Sequence, residues 1–136
     1  MTDNPETVPF EGADAPVSVF MATDVVRVAA DASLSDIAGR LVDAEVGALV
    51  VGSEDTVEGI VSERDVVRAF ARSGEALSTN AGTLASRKLV WCAADATVGE
   101  VAEAMMQHYV RHVLIGHPGE VTGIVSARDL LGALLS

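Results

Sequence analysis

Gly59-Ile60-Val61-Ser62-Glu63-Arg64-Asp65-Val66-Val67 returns, 64 positions later (126 − 62 = 64), as Gly123-Ile124-Val125-Ser126-Ala127-Arg128-Asp129-Leu130-Leu131. Only the change from Glu63 to Ala127 alters the character of a position. The register holds upstream without a gap. Val26-Arg27-Val28-Ala29-Ala30-Asp31-Ala32-Ser33-Leu34 lies over Val90-Trp91-Cys92-Ala93-Ala94-Asp95-Ala96-Thr97-Val98, and Val46, Gly52 and Val57 meet Val110, Gly116 and Val121. One supersecondary unit is therefore written twice. Two tandem copies are too few for an open solenoid, so they are expected to close on each other about a pseudo-two-fold axis, with the seam as the natural place for a ligand.

Within each copy the order reads strand, helix, strand, strand, helix, an α/β unit. Val25 to Val28 and Leu89 to Cys92 are short apolar runs that enter an Ala-Ala-Asp turn and read as first strands. Ser33-Leu34-Ser35-Asp36 and Thr97-Val98-Gly99-Glu100 fit the capping box that opens a helix. Beyond them Leu34, Ile37, Leu41 and Val42, and Val98, Val101 and Met105, recur at the spacing of one apolar helix face. Ala48 to Val51, Val57 to Val61, Val113 to Ile115 and Val121 to Val125 read as strands covered on both faces, and a second helix starts just after Ser62 and Ser126.

The chain has 136 residues, 49% of them hydrophobic, enough for one compact domain or two half-domains sharing a core. Residues 1–16, with Pro5, Glu6, Pro9 and Glu11, read as a mobile acidic arm rather than a targeting signal. The repeats span 17–73 and 82–136. Residues 74–81 read as a linker, since they open on Gly74, are mostly polar and show no sustained apolar period. Charge interrupts every apolar stretch before the roughly 18 residues of a membrane span, and Cys92 is the only cysteine. A soluble, cytoplasmic protein is expected. The formal charge of −11 argues against a nucleic-acid surface, which needs clustered Lys and Arg. A small anion can be held only where the few basic residues gather.

That directs attention to Ser62-x-Arg64-Asp65 and Ser126-x-Arg128-Asp129. One reading is that Ser and Asp only cap the second helix, worth about 1 kcal/mol each. The arginines shift it, because a cation in the first helical turn is electrostatically misplaced if the helix alone is considered. Free amides, a Ser hydroxyl and a guanidinium together would seat a phosphate. The competing account of each Arg is a surface ion pair with Glu63 or another nearby acid. Asp65 and Asp129 could accept from the vicinal hydroxyls of a ribose, so phosphate plus diol suggests a nucleotide.

These residues, with the phrase Tyr109-Val110-Arg111-His112-Val113-Leu114, resemble a tandem pair of cystathionine beta-synthase (CBS) domains, a Bateman module, over roughly residues 17–135. The resemblance implies two clefts for adenosine nucleotides or other adenosyl compounds such as S-adenosylmethionine, with or without Mg²⁺, and no cofactor. One would use Val25, Val26, Val46, Gly47 and Ala48 for the base, with Arg111, Ser126, Arg128 and Asp129 for phosphate and ribose. The other would use Leu89, Val90, Val110, Arg111 and His112, with Ser62, Arg64 and Asp65. Arg111 aligns with Gly47, so the cleft with Asp129 is expected to be the stronger anion seat. Val50 and Leu114 depart from the family, many of whose members carry proline there. The resemblance also implies a flat homodimer burying Val66, Val67, Phe70, Leu130, Leu131 and Leu134, and an effector protein that reads the signal.

Other constellations point elsewhere. His108 and His112 lie four apart and His117 follows, but a helix ending near Tyr109 would separate them, so no metal is expected. Cys92 reads as a small core residue, and Trp91 as a packing or interface residue. No nucleophile with a supporting base and no Walker loop is present, so catalysis is not expected. The rival functions are a structural or dimerisation module with empty clefts, and a metal- or nucleic-acid-linked role.

Overall fold

The computed structural model describes residues 11–53, 56–72 and 78–135. After short 3-10 turns at Glu11–Asp14 and Val17–Val19 come β1 (Arg27–Val28), α1 (Leu34–Ala44), β2 (Ala48–Val51), β3 (Gly59–Ser62), α2 (Glu63–Ala71) and a one-turn α3 (Ala81–Leu84). Then follow β4 (Trp91–Cys92), α4 (Val98–His108), β5 (His112–His117), β6 (Glu120–Ser126) and α5 (Ala127–Leu135). The α/β class and the repeated element order match the sequence reading.

The chain divides into two compact units. One runs over Asp24–Leu89 with Pro118–Glu120; the other joins the described residues up to Thr23 to Val90–His117 and Val121–Ser136. Each holds a three-stranded sheet, in the order β1-β2-β3 or β4-β5-β6. The first pair of strands is parallel in both, and β3 runs antiparallel to β2. In the first unit Leu49, Val51 and Val61 of the sheet pack with Leu34, Ile37 and Leu41 of α1 and Val66 and Ala69 of α2. In the second, Val113, Ile115 and Val125 pack with Val101 and Met105 of α4.

Local chemistry fixes where these helices begin and end. Ser33 Oγ accepts from the Asp36 N–H at 3.0 Å, while Asp36 Oδ2 accepts from the Ser33 N–H at 3.3 Å. Thr97 and Glu100 repeat this at 3.1 and 2.9 Å, so both proposed capping boxes form. At the far ends Glu45 and Tyr109 adopt the left-handed conformation, each at φ 55°. The next amides, of Val46 and Val110, turn back to the carbonyls of Leu41 and Met105 at 3.1 Å.

Each unit is completed by a segment that belongs, in sequence, to the opposite repeat. Ala22 exchanges two backbone hydrogen bonds with Ile124, at 2.9 and 3.0 Å, and Ser86 does the same with Ile60, at 2.8 and 3.0 Å. Upstream, the Val17 N–H donates to Ala96 O at 2.9 Å, as the Ala81 N–H does to Ala32 O at 3.0 Å. Val17 and Ala81 are both 0% exposed, each in the core of the unit built on the other repeat. Backbone meets backbone here, so the receiving strand offers glycine. A Cβ on Gly59 would lie 2.7 Å from Ser86 O and 2.8 Å from Ala85 Cβ; one on Gly123 would meet Met21 Sδ at 2.6 Å and Ala22 O at 3.0 Å.

Several boundaries differ from the sequence reading. β1 and β4 have two residues each rather than four, although the Val26 and Val90 carbonyls still accept from Val50 and Leu114 at 2.9 Å. β3 starts at Gly59 rather than Val57. Val42, assigned to the buried face of α1, is 74% exposed, because Leu34, Ile37 and Leu41 alone complete the inward stripe. Residues 1–10 of the expected arm, residue 73 of the expected first repeat and residues 74–77 of the expected linker lie outside the described residues. Beyond them, Ala15 and Pro16 are held against Val98 and Thr97, and Asn80 caps α3 through Thr83 at 2.9 Å.

Three glycine substitutions should separate by sign in urea-unfolding midpoints. Gly59→Ala loses about 1–3 kcal/mol, because the obstacle is backbone. Gly123→Ala loses less, since the Met21 thioether can turn aside first. Gly39→Ala, on α1 with nothing within 4 Å of its Cβ, gains up to about 1 kcal/mol.

Candidate functional site

The residues singled out in the sequence gather where the last strand of each sheet enters its helix. At the β3–α2 junction the Ser62 N–H donates to Asp65 Oδ2 at 2.8 Å, and Ser62 Oγ accepts from the Asp65 N–H at 3.3 Å. At the β6–α5 junction Ser126 and Asp129 make the same pair at 2.8 and 3.0 Å. The capping role is thus realised twice, and it uses Oδ2 of each Asp. Oδ1 of neither Asp takes a capping bond among the described residues. The Glu63 N–H goes to Gly47 O at 2.9 Å and the Ala127 N–H to Arg111 O at 2.8 Å. Among the described residues these bonds leave the Arg64 and Arg128 amides of the first turn unclaimed, fewer than the free amides expected from sequence. Neither guanidinium enters the capping bonds, and Arg64, Arg111 and Arg128 are all exposed.

The same bonds bring the start of the middle strand against the start of the helix. A Cβ on Gly47 would lie 3.4 Å from Glu63 Oε1, so the Glu63 carboxylate covers the face that glycine leaves bare. In the other unit the partners at that contact are Arg111 and Ala127. Two differences that looked separate in the sequence are thus one exchange, Gly-with-Glu against Arg-with-Ala. Glu63, Arg64 and Asp65 give the first junction one net negative charge; Arg111, Arg128 and Asp129 give the second one net positive charge. Glu63 is the residue that sequence reasoning missed as part of the site, because only tertiary contact places it on Gly47. A further difference lies in the hydroxyls. Ser62 Oγ also donates to Asp65 Oδ2 at 3.0 Å; the Ser126 hydroxyl makes no such bond among the described residues.

The remaining expected residues sort by unit. Val25, Val26, Val46, Ala48 and Leu89 lie with the Ser62 junction, and Val90, Val110 and His112 with the Ser126 junction. Ala48 sits directly opposite Ser62 across β2 and β3. Val46 and Val110 are half-buried against their cores, and Val90 is buried. A separate groove of about 440 Å³ runs along α1 by Val28, Asp36, Arg40 and Asp43 and includes none of these residues. The one cation on its wall, Arg40, is committed to Arg27 O at 2.8 Å.

α4 ends at His108 and His112 opens β5, so these histidines do not share a helix face. No group of three potential metal ligands occurs among the described residues. Cys92 is half-buried on β4 beside the core. Burial pushes its thiol above the usual range, and the charge of Glu100 adds to this. No helix among the described residues is long and apolar enough to cross a membrane.

A sequence model of the CBS domain matches residues 17–72 and again residues 81–136. An uncharacterised 17.7 kDa protein of Acidianus ambivalens is 31% identical over 121 residues, 88% of this chain and 73% of that protein. The crystal structure of a conserved protein from Pyrococcus horikoshii superposes with a TM-score of 0.77 at 28% identity, covering 89% of this chain and 92% of that one. The CBS domain pair of protein MJ0100, solved with 5′-methylthioadenosine and S-adenosyl-L-methionine, shares the fold at a TM-score of 0.75 and 18% identity, covering 87% and 94%.

Raising the thiol pKa disfavours thiolate in the folded state. Cys92 should therefore react with a disulfide reagent at pH 8 more slowly than free cysteine, and at the free rate once unfolded in urea. By the same linkage, its contribution to stability is complete below the ordinary thiol range and is lost as pH climbs from there to the raised folded value.

Proposed function

Because the chain belongs to the CBS domain family, as a tandem pair of such domains and thus a regulatory module, we propose that it binds an adenosine nucleotide or related adenosyl compound and performs no catalysis. The observation that carries this reading is the twice-built junction, in which one carboxylate oxygen caps a helix and the other stays available beside an exposed arginine. The family resemblance assigns ribose to Asp65 and Asp129 and phosphate to Ser62 and Arg64, or to Ser126, Arg128 and Arg111. The base falls to Val25, Val26, Val46, Gly47 and Ala48, and to Leu89, Val90, Val110 and His112. The MJ0100 pair, with its two adenosyl compounds, supports the ligand class.

The junctions differ in what they can hold. A unit charge within several ångströms of a phosphate is worth about 1 kcal/mol near a surface, less in salt. Arg111 attracts an anion at the Ser126 junction, where the Ser126 proton is also free to donate. Glu63 repels it at the Ser62 junction, which better suits an adenosyl compound without phosphate.

Self-association has its own support. Val67 and Phe70 on α2, and Leu131 and Leu135 on α5, are exposed. We propose that a homodimer covers them and that a protein effector reads the bound state. The dimer face is narrower than the sequence suggested. Val66 is only 6% exposed and Leu130 packs on the core, because they sit on the inward side of their helices; the Leu134 side chain lies outside the described residues.

A thermal-shift screen of AMP, ADP, ATP, 5′-methylthioadenosine and S-adenosylmethionine, with and without Mg²⁺, should give saturable stabilisation. Asp129→Ala should abolish nucleotide binding, and Arg111→Gly and Arg128→Ala should weaken it about five- to tenfold, the loss shrinking in high salt. No shift with any of these ligands would refute the reading and favour a ligand-free interaction module. Light scattering at micromolar concentration should return twice the chain mass; a monomer would refute the dimer.

A further inference from the structure

We infer that residues 16–22 form a strap that positions the Ser126–Asp129 junction, so that docking of the strap and occupancy of that junction are coupled. The coupling to a ligand rests on the nucleotide reading above; the positioning role does not.

The strap is fastened at three places in one unit. At its start, Val17 is fully buried among Val101, Val113 and Val125, and its N–H is bonded to Ala96 O. At its end, Ala22 holds β6 through both hydrogen bonds to Ile124, two residues before Ser126. Between them Met21 lies over Gly123, and Phe20 lies against α5, its Cδ1 3.5 Å from where a Gly132 Cβ would stand. The strap thus grips the strand on one side of the Ser126–Asp129 cap and the helix on the other. Moving either changes the angle between them, and with it the 2.8 and 3.0 Å bonds that orient Asp129.

The unit over Asp24–Leu89 lacks this grip. Residues 81–86 pair with β3 at Ile60 in the same way, but the positions of Phe20 and Gly132 are taken there by Leu84 and Arg68. No aromatic ring seats on a bare helix face. The Ser62 junction therefore serves as an internal control within the same molecule.

Coupling of this kind is reciprocal: if docking of the strap favours a ligand, the ligand must favour docking. Whatever engages residues 16–22 would then tune the anion-favouring junction without touching it, and would leave the other alone.

The test is residue-resolved amide hydrogen exchange on the full chain, wild type and Phe20→Ala, first without ligand. The expected result is at least tenfold faster exchange at Ala22, Ile124, Ser126 and Asp129, with Ser62 and Asp65 unchanged. Acceleration at Ala22 alone, with Ser126 and Asp129 still protected, overturns the positioning role, and so does equal acceleration at both junctions. If Phe20→Ala does not fold, Phe20→Leu is held to the same criteria. The second arm adds saturating ADP to the wild type. Slower exchange at Ala22 and Ile124 is expected, and bound ADP with no change there overturns the coupling. Failure of ADP to bind counts against the nucleotide reading, while the first arm still decides the strap.

Discussion

Everything else in the structure depends on two pairs of backbone hydrogen bonds, Ala22 with Ile124 and Ser86 with Ile60. A three-stranded sheet whose first strand has two residues covers little of its own core, and its last strand leaves an open edge. The crossed segments answer both needs, pairing with β6 and β3 and inserting Val17 and Ala81 at fully buried positions. Neither repeat, cut at its sequence boundaries, contains its own closing piece. Duplication here has produced two bodies that each require part of the other copy.

On that repeated frame the chemistry has diverged. The carbonyls of Gly47 and Arg111 accept from the amides of Glu63 and Ala127 at nearly the same distance, so the backbone is one solution used twice. The side chains on it carry opposite charge. A fold that preserves geometry while exchanging two adjacent residues can reverse the charge of a junction without moving its backbone. The hydroxyls differ as well: Ser62 Oγ donates to Asp65, and Ser126 Oγ makes no such bond among the described residues.

How legible this was in the sequence follows from the range of each interaction. Helix starts were readable because a capping box spans four residues, and all of Ser33, Ser62, Thr97 and Ser126 cap as their neighbours imply. The α/β order was readable because the second copy checks the first. The crossed segments were not, since Val17 and Ala81 open segments of about one turn, too short to sustain a period, and nothing local says which sheet receives them. Val42 and Val66 were misplaced for a related reason: apolar residues at adjacent helix positions point to different faces, and only packing selects one. Ser62 meets Asp65 and Ser126 meets Asp129 as the capping pattern implied, while neither arginine enters those bonds. Glu63 escaped because its role depends on a contact with a residue sixteen positions earlier, across the turn between two strands.

The crossing also sets an order in time. The unit over Asp24–Leu89 takes its closing segment from just downstream, so the chain can close that sheet once Leu89 is available. The other unit must bring Ala22 to Ile124 across a loop about four times longer than that between Ile60 and Ser86, at an added entropic cost of about 1 kcal/mol. Until β6 exists, Val17, Phe20 and Met21 have no partner strand to join. The two units are therefore expected to fold in sequence, the one with the acidic junction first and the one with the basic junction last.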